Sequence, residues 1–241
     1  MRELLLKQLP DTPVWVETRS ALLAGGDVFG EPGGAMVRSK WKDVLCVVGR
    51  PTEQAFEAAF DGAADTVEVI AQEKDAQHVE RLMDMPGGAA RIYAAGVHPP
   101  RLPIVDGDYL IEELTRADLP RLRHLPENLR EELEEELGDT RVVAAITDGL
   151  PVSFCYVASE TERLWDVSID TWEPYRRRGL AAAAFGGLYE RMAREGKGVV
   201  WGAMEWNEPS WRLADKLGLQ PVGTLYCWSA HVLESDSGDS T

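Results

Sequence analysis

Residues 164–181 read Leu164-Trp165-Asp166-Val167-Ser168-Ile169-Asp170-Thr171-Trp172-Glu173-Pro174-Tyr175-Arg176-Arg177-Arg178-Gly179-Leu180-Ala181. The first eight residues read as a strand. From Gly179 a helix is predicted as far as Glu195, where Gly196 ends it. The segment is therefore a strand, a basic loop and a helix start. The first turn of a helix leaves backbone N–H groups unpaired, and its dipole adds about half a positive charge. Such an end binds phosphate. Gly179 permits a sharp turn and the close approach of an oxygen, and the small Ala181 keeps the entrance open. A side chain at 179 is expected to occupy the phosphate's place. Arg176, Arg177 and Arg178 form the largest basic cluster in the chain. The plain alternative is a solvated basic loop in front of an ordinary helix.

Working outward, Tyr109–Leu114 reads as a strand. Asp118 and Pro120 suit a helix start. Leu129, Leu133 and Leu137 recur at i, i+4 and i+8 and predict a second helix over Asn128–Leu137. Its acidic run, Glu131 to Glu136, reads as a solvated face or a surface for a basic partner. Two apolar runs, Val142–Thr147 and Pro151–Val157, flank Asp148-Gly149, a hairpin signal. After the 179–195 helix come a strand Val199–Met204, a helix Ser210–Leu217 stopped by Gly218, and a strand Val222–Ala230. The order is β-α-α-β-β-β-α-β-α-β, an α/β layered fold with a mixed sheet.

The surrounding composition narrows the function. The chain has 241 residues, 25 Lys and Arg against 41 Asp and Glu, and a net charge of −16. That balance argues against nucleic acid as a partner and against an anionic membrane surface, since both need a basic face. The charge is −5 over residues 1–107 and −11 over 108–241. No run of apolar residues is long enough for a signal peptide or a spanning helix. Cys46, Cys155 and Cys227 read as reduced thiols of a cytoplasmic protein. His78, His98, His124 and His231 show no metal-ligand spacing, so no metal is expected.

Against this background the loop has a counterpart. Arg176-x-x-Gly179-x-Ala181 resembles the Gln/Arg-x-x-Gly-x-Gly/Ala signature of the GNAT superfamily of acyl-CoA N-acyltransferases. Asn207-x-x-Ser210-x-x-Leu213-Ala214-x-Lys216-Leu217-Gly218-Leu219 is similar to that family's closing helix, and the element order from about 108 to 232 agrees. The resemblance implies acetyl-CoA as co-substrate. Its pyrophosphate would lie on the loop over Arg176, Arg177, Arg178, Gly179, Leu180 and Ala181. Its pantetheine arm would pair with free backbone of a splayed strand at Ile169 and Thr171, with Asn207 and Ser210 nearby. The implied reaction transfers an acetyl group to a primary amine of a small molecule or protein. Glu205 and Asp170 are the candidate proton acceptors. Many relatives protonate the leaving thiolate with a tyrosine where this chain has Ala214. Ser210 and Tyr226 are the substitutes, or no dedicated acid exists, since a thiolate is a tolerable leaving group. Trp172 and Trp206 are candidate linings of an acceptor pocket for a cationic amine. The missing tyrosine keeps open a second function, a catalytically degenerate CoA-binding or peptide-binding module. A monomer or a homodimer fits either.

Residues 1–103 are expected to form a smaller α/β domain, ended by the linker His98-Pro99-Pro100-Arg101-Leu102-Pro103. Strands at 35–37, 44–48, 66–71 and 91–95 and helices at 52–60 and 75–83 give β-β-α-β-α-β. The same order occurs in the second half, which raises the hypothesis of a degenerate GNAT-like copy. Gly49-Arg50-Pro51-Thr52 carries no phosphate-loop signature, so no CoA is expected there. Residues 104–233 are expected to form the acetyltransferase domain, a GNAT-like mixed sheet flanked by helices. Residues 234–241 read as a disordered acidic tail.

Overall fold

The structure, a computed structural model, describes residues 1–95, 99–102, 105 and 107–231, with His231 described by its backbone alone. The chain divides into two compact units, one of Met1–Arg91 with the segment from Gly223 onward, the other of Ile92–Val222.

The first unit opens with helices α1 (Arg2–Gln8) and α2 (Val16–Leu23). Strands β1 (Asp27–Glu31), β2 (Gly34–Arg38) and β3 (Val44–Gly49) follow, then α3 (Glu53–Phe60), β4 (Thr66–Gln72), α4 (Glu73–Met83) and β5 (Gly88–Ala94). The sequence gives no periodic signal for α1, α2 or β1. The first is 7 residues long and β1 is nowhere fully buried. β3 and β4 lie parallel and pair through Val44↔Glu68, Leu45↔Val69 and Cys46↔Ile70. One face of this sheet packs Met36, Leu45, Val47, Val67 and Val69 against Ala59 and Val79 of α3 and α4. The other packs Ala35, Val37, Cys46 and Val48 against Leu5, Trp15 and Leu22.

The second unit contains β6 (Leu110–Leu114), a 3-10 segment (Arg116–Leu122), α5 (Glu127–Glu136), β7 (Val142–Thr147), β8 (Leu150–Glu160) and β9 (Leu164–Thr171). It continues with α6 (Leu180–Arg194), β10 (Gly198–Met204) and α7 (Glu208–Lys216), and β11 (Gln220–His231) closes the chain. β6 to β9 are successive antiparallel neighbours, and β10 runs parallel to β9. Every residue of β7 is buried because both faces are covered. Val143 and Ala145 face the cluster with Leu180, Phe185 and Leu188 of α6. Val142, Ala144 and Ile146 face the cluster with Leu129 and Leu133 of α5. The Gly187 position lets α6 come close, since a Cβ there would meet Ile111 Cγ2 at 2.4 Å.

The expected boundary at 103 differs from the contact-based division. β11, read as the last strand of the acetyltransferase domain, pairs with β4 through seven positions from Leu225↔Gln72 to His231↔Thr66. Trp228 of β11 is 2% exposed within the first unit's core. The chain leaves the first unit inside β5, whose Tyr93 belongs to the second unit's core. Of the linker, His98 and Pro103 lie outside the described residues, as does the acidic tail.

The two units share a plan. Along the chain the first half runs β1-β2-β3-α3-β4-α4-β5 and the second β7-β8-β9-α6-β10-α7-β11, the first preceded by α1 and α2 and the second by the 3-10 segment and α5. In each, the third strand pairs in parallel with the fourth through three positions. The hypothesis of a GNAT-like copy therefore stands on connectivity as well as element order.

Candidate active site

The parallel contact of β9 and β10 is short. It runs through Gly198↔Leu164, Val199↔Trp165 and Val200↔Asp166 and goes no further among the described residues. Beyond it, β9 continues to Thr171 and β10 to Met204, so the two strands part at their C-terminal ends. Backbone direction alternates along a strand. Trp172 N–H donates to Val152 O of β8, and Ser153 Oγ donates to Asp170 O. The backbone groups of residues 168, 170 and 172 therefore face β8. Those of Val167, Ile169 and Thr171 face the side where β10 has left. Ile169 and Thr171 thus present backbone to the cleft, and Arg176 Nε donates to Thr171 O at 3.0 Å.

The loop after β9 begins with a 3-10 turn, Glu173–Tyr175. Arg177 and Gly179 both sit in the left-handed region, at φ 62° and 83°. This turns the chain into α6 at Gly179. The first α6 amide with a backbone acceptor in the helix ladder is Ala183, which donates to Gly179 O at 3.1 Å. The amides of Leu180, Ala181 and Ala182 precede that ladder, as helix geometry requires. Arg176, Arg177 and Arg178 are all exposed. The Arg178 guanidinium lies 5.2 Å from the Tyr175 ring centre. A Cβ at 179 would meet Val105 Cγ2 at 3.2 Å. Glycine is required there by its φ and by that neighbour.

Burial separates the two candidate carboxylates. Glu205 follows β10 and is exposed. Asp170 is half-buried on β9, and its carboxyl is pushed up to about 6, first by burial and then by the charge of Glu132, with Arg176 acting in the opposite direction. Asn207 caps α7, its side chain accepting from Ser210 N–H at 3.3 Å. Ser210 Oγ accepts from the indole N–H of buried Trp201 at 3.0 Å. Ala214 is fully buried, so α7 turns a methyl group, not a phenol, into the core. Tyr226 lies on β11 in the first unit, where it packs on that unit's cluster beside Trp228. Trp172 packs against both clusters of the second unit, with its ring 5.0 Å from His124 and 5.3 Å from Tyr175. Trp206 is 77% exposed. Cys155 is buried, and burial raises its thiol well above the ordinary value.

The sequence did not point to Glu132, whose carboxylate accepts from the Tyr156 hydroxyl. It lies three residues after Leu129, at the edge of the leucine stripe, and that spacing was the available signal.

In the first unit the corresponding loop is closed. Arg50 N–H donates to Gly33 O, Pro51 has no N–H, and His78 Nε2 lies 2.8 Å from Pro51 O. Thr52 Oγ1 accepts from Ala55 N–H, and Glu53 places a negative charge in the first turn of α3.

Residues 141–227 match the family model described as GNAT acetyltransferase. Solved structures share the fold over nearly the whole chain. One is a GCN5-related N-acetyltransferase-like protein from Streptococcus suis, 17% identical, TM-score 0.65, covering 94% of this chain and 96% of that one. Another is a GCN5-related N-acetyltransferase from Kribbella flavida, 13% identical, TM-score 0.62, covering 89% and 92%. A tandem GNAT protein from the clavulanic acid biosynthesis pathway is 14% identical, TM-score 0.54, covering 92% and 95%. No curated protein matches the sequence. Among the described residues no helix is long and apolar enough to cross a membrane, and no group of three His, Cys, Asp or Glu side chains could hold a metal ion.

Proposed function

We propose that the chain transfers an acyl group, acetyl first, from acyl-CoA to a primary amine of a small molecule or peptide, with the site in the second unit. The observation that carries this is the parting of β9 and β10 directly ahead of the Gly179 helix start. The residues present fit CoA. The α6 amides and the three arginines suit a pyrophosphate, and the outward backbone of Ile169 and Thr171 suits an amide-bearing arm. When bound, CoA supplies an acyl carbon held as a thioester.

Asp170 is the proton acceptor in this scheme. A free alkylamine has a pKa near 10.4 and must lose a proton to attack. The amine nitrogen forms the new C–N bond as the thioester C–S bond breaks. Its proton passes to Asp170, and the sulfur leaves as thiolate. Ser210 retains its own hydroxyl proton while accepting from Trp201, so it is placed to return a proton through water. Glu205, at the exposed end of β10, serves better as a charge at the mouth than as the base. The acidic second unit favours a cationic acceptor over an acidic one. Free thiols and an acyl-CoA donor support a cytoplasmic setting for this activity.

The buried Ala214 favours one other reading, a module that binds CoA without turnover. Thiol release from acetyl-CoA over a panel of primary amines separates the two. Turnover on any amine supports the transferase, and calorimetric binding of CoA without turnover on all of them supports the module. Absence of CoA binding overturns both.

A further inference from the structure

The α5 side of the second sheet carries a polar group inside a leucine-lined cluster. Tyr156 is 2% exposed and packs with Leu129, Leu133 and Phe154. Its hydroxyl donates to Glu132 Oε1 and is also bonded by Ser168. On β9, Ser168 lies opposite Tyr156 and Asp170 opposite Phe154, so Ser168 and Asp170 share the face that looks toward α5. Three elements thus converge: α5 with Glu132, β8 with Tyr156, β9 with Asp170. This is the end of β9 that has parted from β10.

We infer that Glu132 and Tyr156 are positioning residues for Asp170: the buried phenol anchors the Glu132 carboxylate, and its negative charge acts on Asp170 at the splayed end of β9. A like charge nearby disfavours ionisation of a carboxyl held in a dry place. Asp170 is in such a place, and its carboxyl stands at about 6, raised first by burial and next by Glu132. The phenol stays protonated, since burial and the bond to Glu132 both raise it, so it acts as a fixed donor. Without it, Glu132 on an exposed helical face would be free to turn to water. Arg176 from the loop opposes Glu132, and Ser168 is neutral. His124, whose ring lies against Trp172, is bonded at both nitrogens to the carbonyls of Arg121 and Pro151.

The catalytic consequence rests on the acyltransferase reading; the electrostatic coupling does not. The test therefore has two readouts on the full chain. In the first, the Asp170 carboxyl carbon is followed by 13C NMR across pH, assigned with Asp170→Asn. Wild type is expected to titrate near 6 and Glu132→Gln lower, toward the ordinary 3.8, while Glu132→Asp, which keeps the charge, stays closer to wild type. Tyr156→Phe is expected to move the midpoint in the same direction as Glu132→Gln and by less. In the second, the acid limb of kcat against pH on a primary amine moves with the NMR midpoint. An unchanged Asp170 midpoint in Glu132→Gln overturns the inference. Failure of wild type to turn over any amine overturns the transferase reading alone, because the NMR result still decides the coupling.

Discussion

Two residues decide what the site can do, Gly179 and Asp170. Gly179 sits at φ 83°, where a side chain costs about 1–2 kcal/mol, and its Cβ would press on Val105. Gly179→Ala is expected to weaken CoA binding by shifting the loop, measurable by calorimetry, with little change in circular dichroism. Affinity equal to wild type would show that the loop does not hold the phosphates. For Asp170 the protonated folded form is favoured, so its contribution to stability is present below the ordinary 3.8 and is lost as pH rises through about 6. Asp170→Asn escapes that loss. It is expected to be more stable than wild type at pH 7.5, by a margin of order 3 kcal/mol at about 1.4 kcal/mol per pH unit, and equal to it below the ordinary 3.8. Denaturant unfolding at the two pH values measures the gap. Removing a general base is expected to cost about 100-fold to 10,000-fold in kcat. A variant that is more stable and nearly inactive is the signature of a group held in its site at a cost.

At the scale of elements, the basic loop and α7 make separable predictions. Replacing Arg176, Arg177 and Arg178 by glutamine is expected to weaken CoA binding and flatten its dependence on salt, since exposed charges act within a screening length of about 8–10 Å. An unchanged salt slope would place the three guanidinium groups away from the ligand. In α7, Asn207→Ala removes the cap and is expected to cost about 1 kcal/mol, seen as a lower melting temperature. Ser210→Ala leaves the Trp201 indole N–H without its acceptor in a buried setting, at about 1–3 kcal/mol. A loss of activity in that variant counts toward catalysis only after correction for the folded fraction. The helix α5 shows how an element can hide a role. Its glutamates look alike in sequence, yet Glu132 alone among Glu131–Glu135 has a bond to Tyr156 in the structure.

At the scale of the whole molecule, the chain's last strand stabilises its first unit. Deleting the chain from residue 223 would strip β4 of its antiparallel neighbour and remove Trp228, whose indole N–H donates to Met85 O and whose ring packs on Gly87. Burying a tryptophan is commonly worth about 3–5 kcal/mol on truncation to alanine. The deletion is expected to raise hydrogen exchange in β3 and β4 and to open the first unit to proteolysis; unchanged protection there would contradict the pairing. The local parts of this protein were set by its sequence. The Asp148-Gly149 hairpin, the leucine stripe of α5 and the Gly179 helix start each depend on neighbours a few residues away and made much of the second half's element order legible, whereas α1, α2 and β1 carried no such signal. Partnerships across the chain were not legible. That β11 joins β4, that Tyr226 packs in the first unit, and that Glu132 meets Tyr156 and bears on Asp170 depend on burial between segments 24 to more than 150 residues apart. Such contacts are chosen by which surfaces can exclude water together, a quantity that exists only once the sheets and helices have packed.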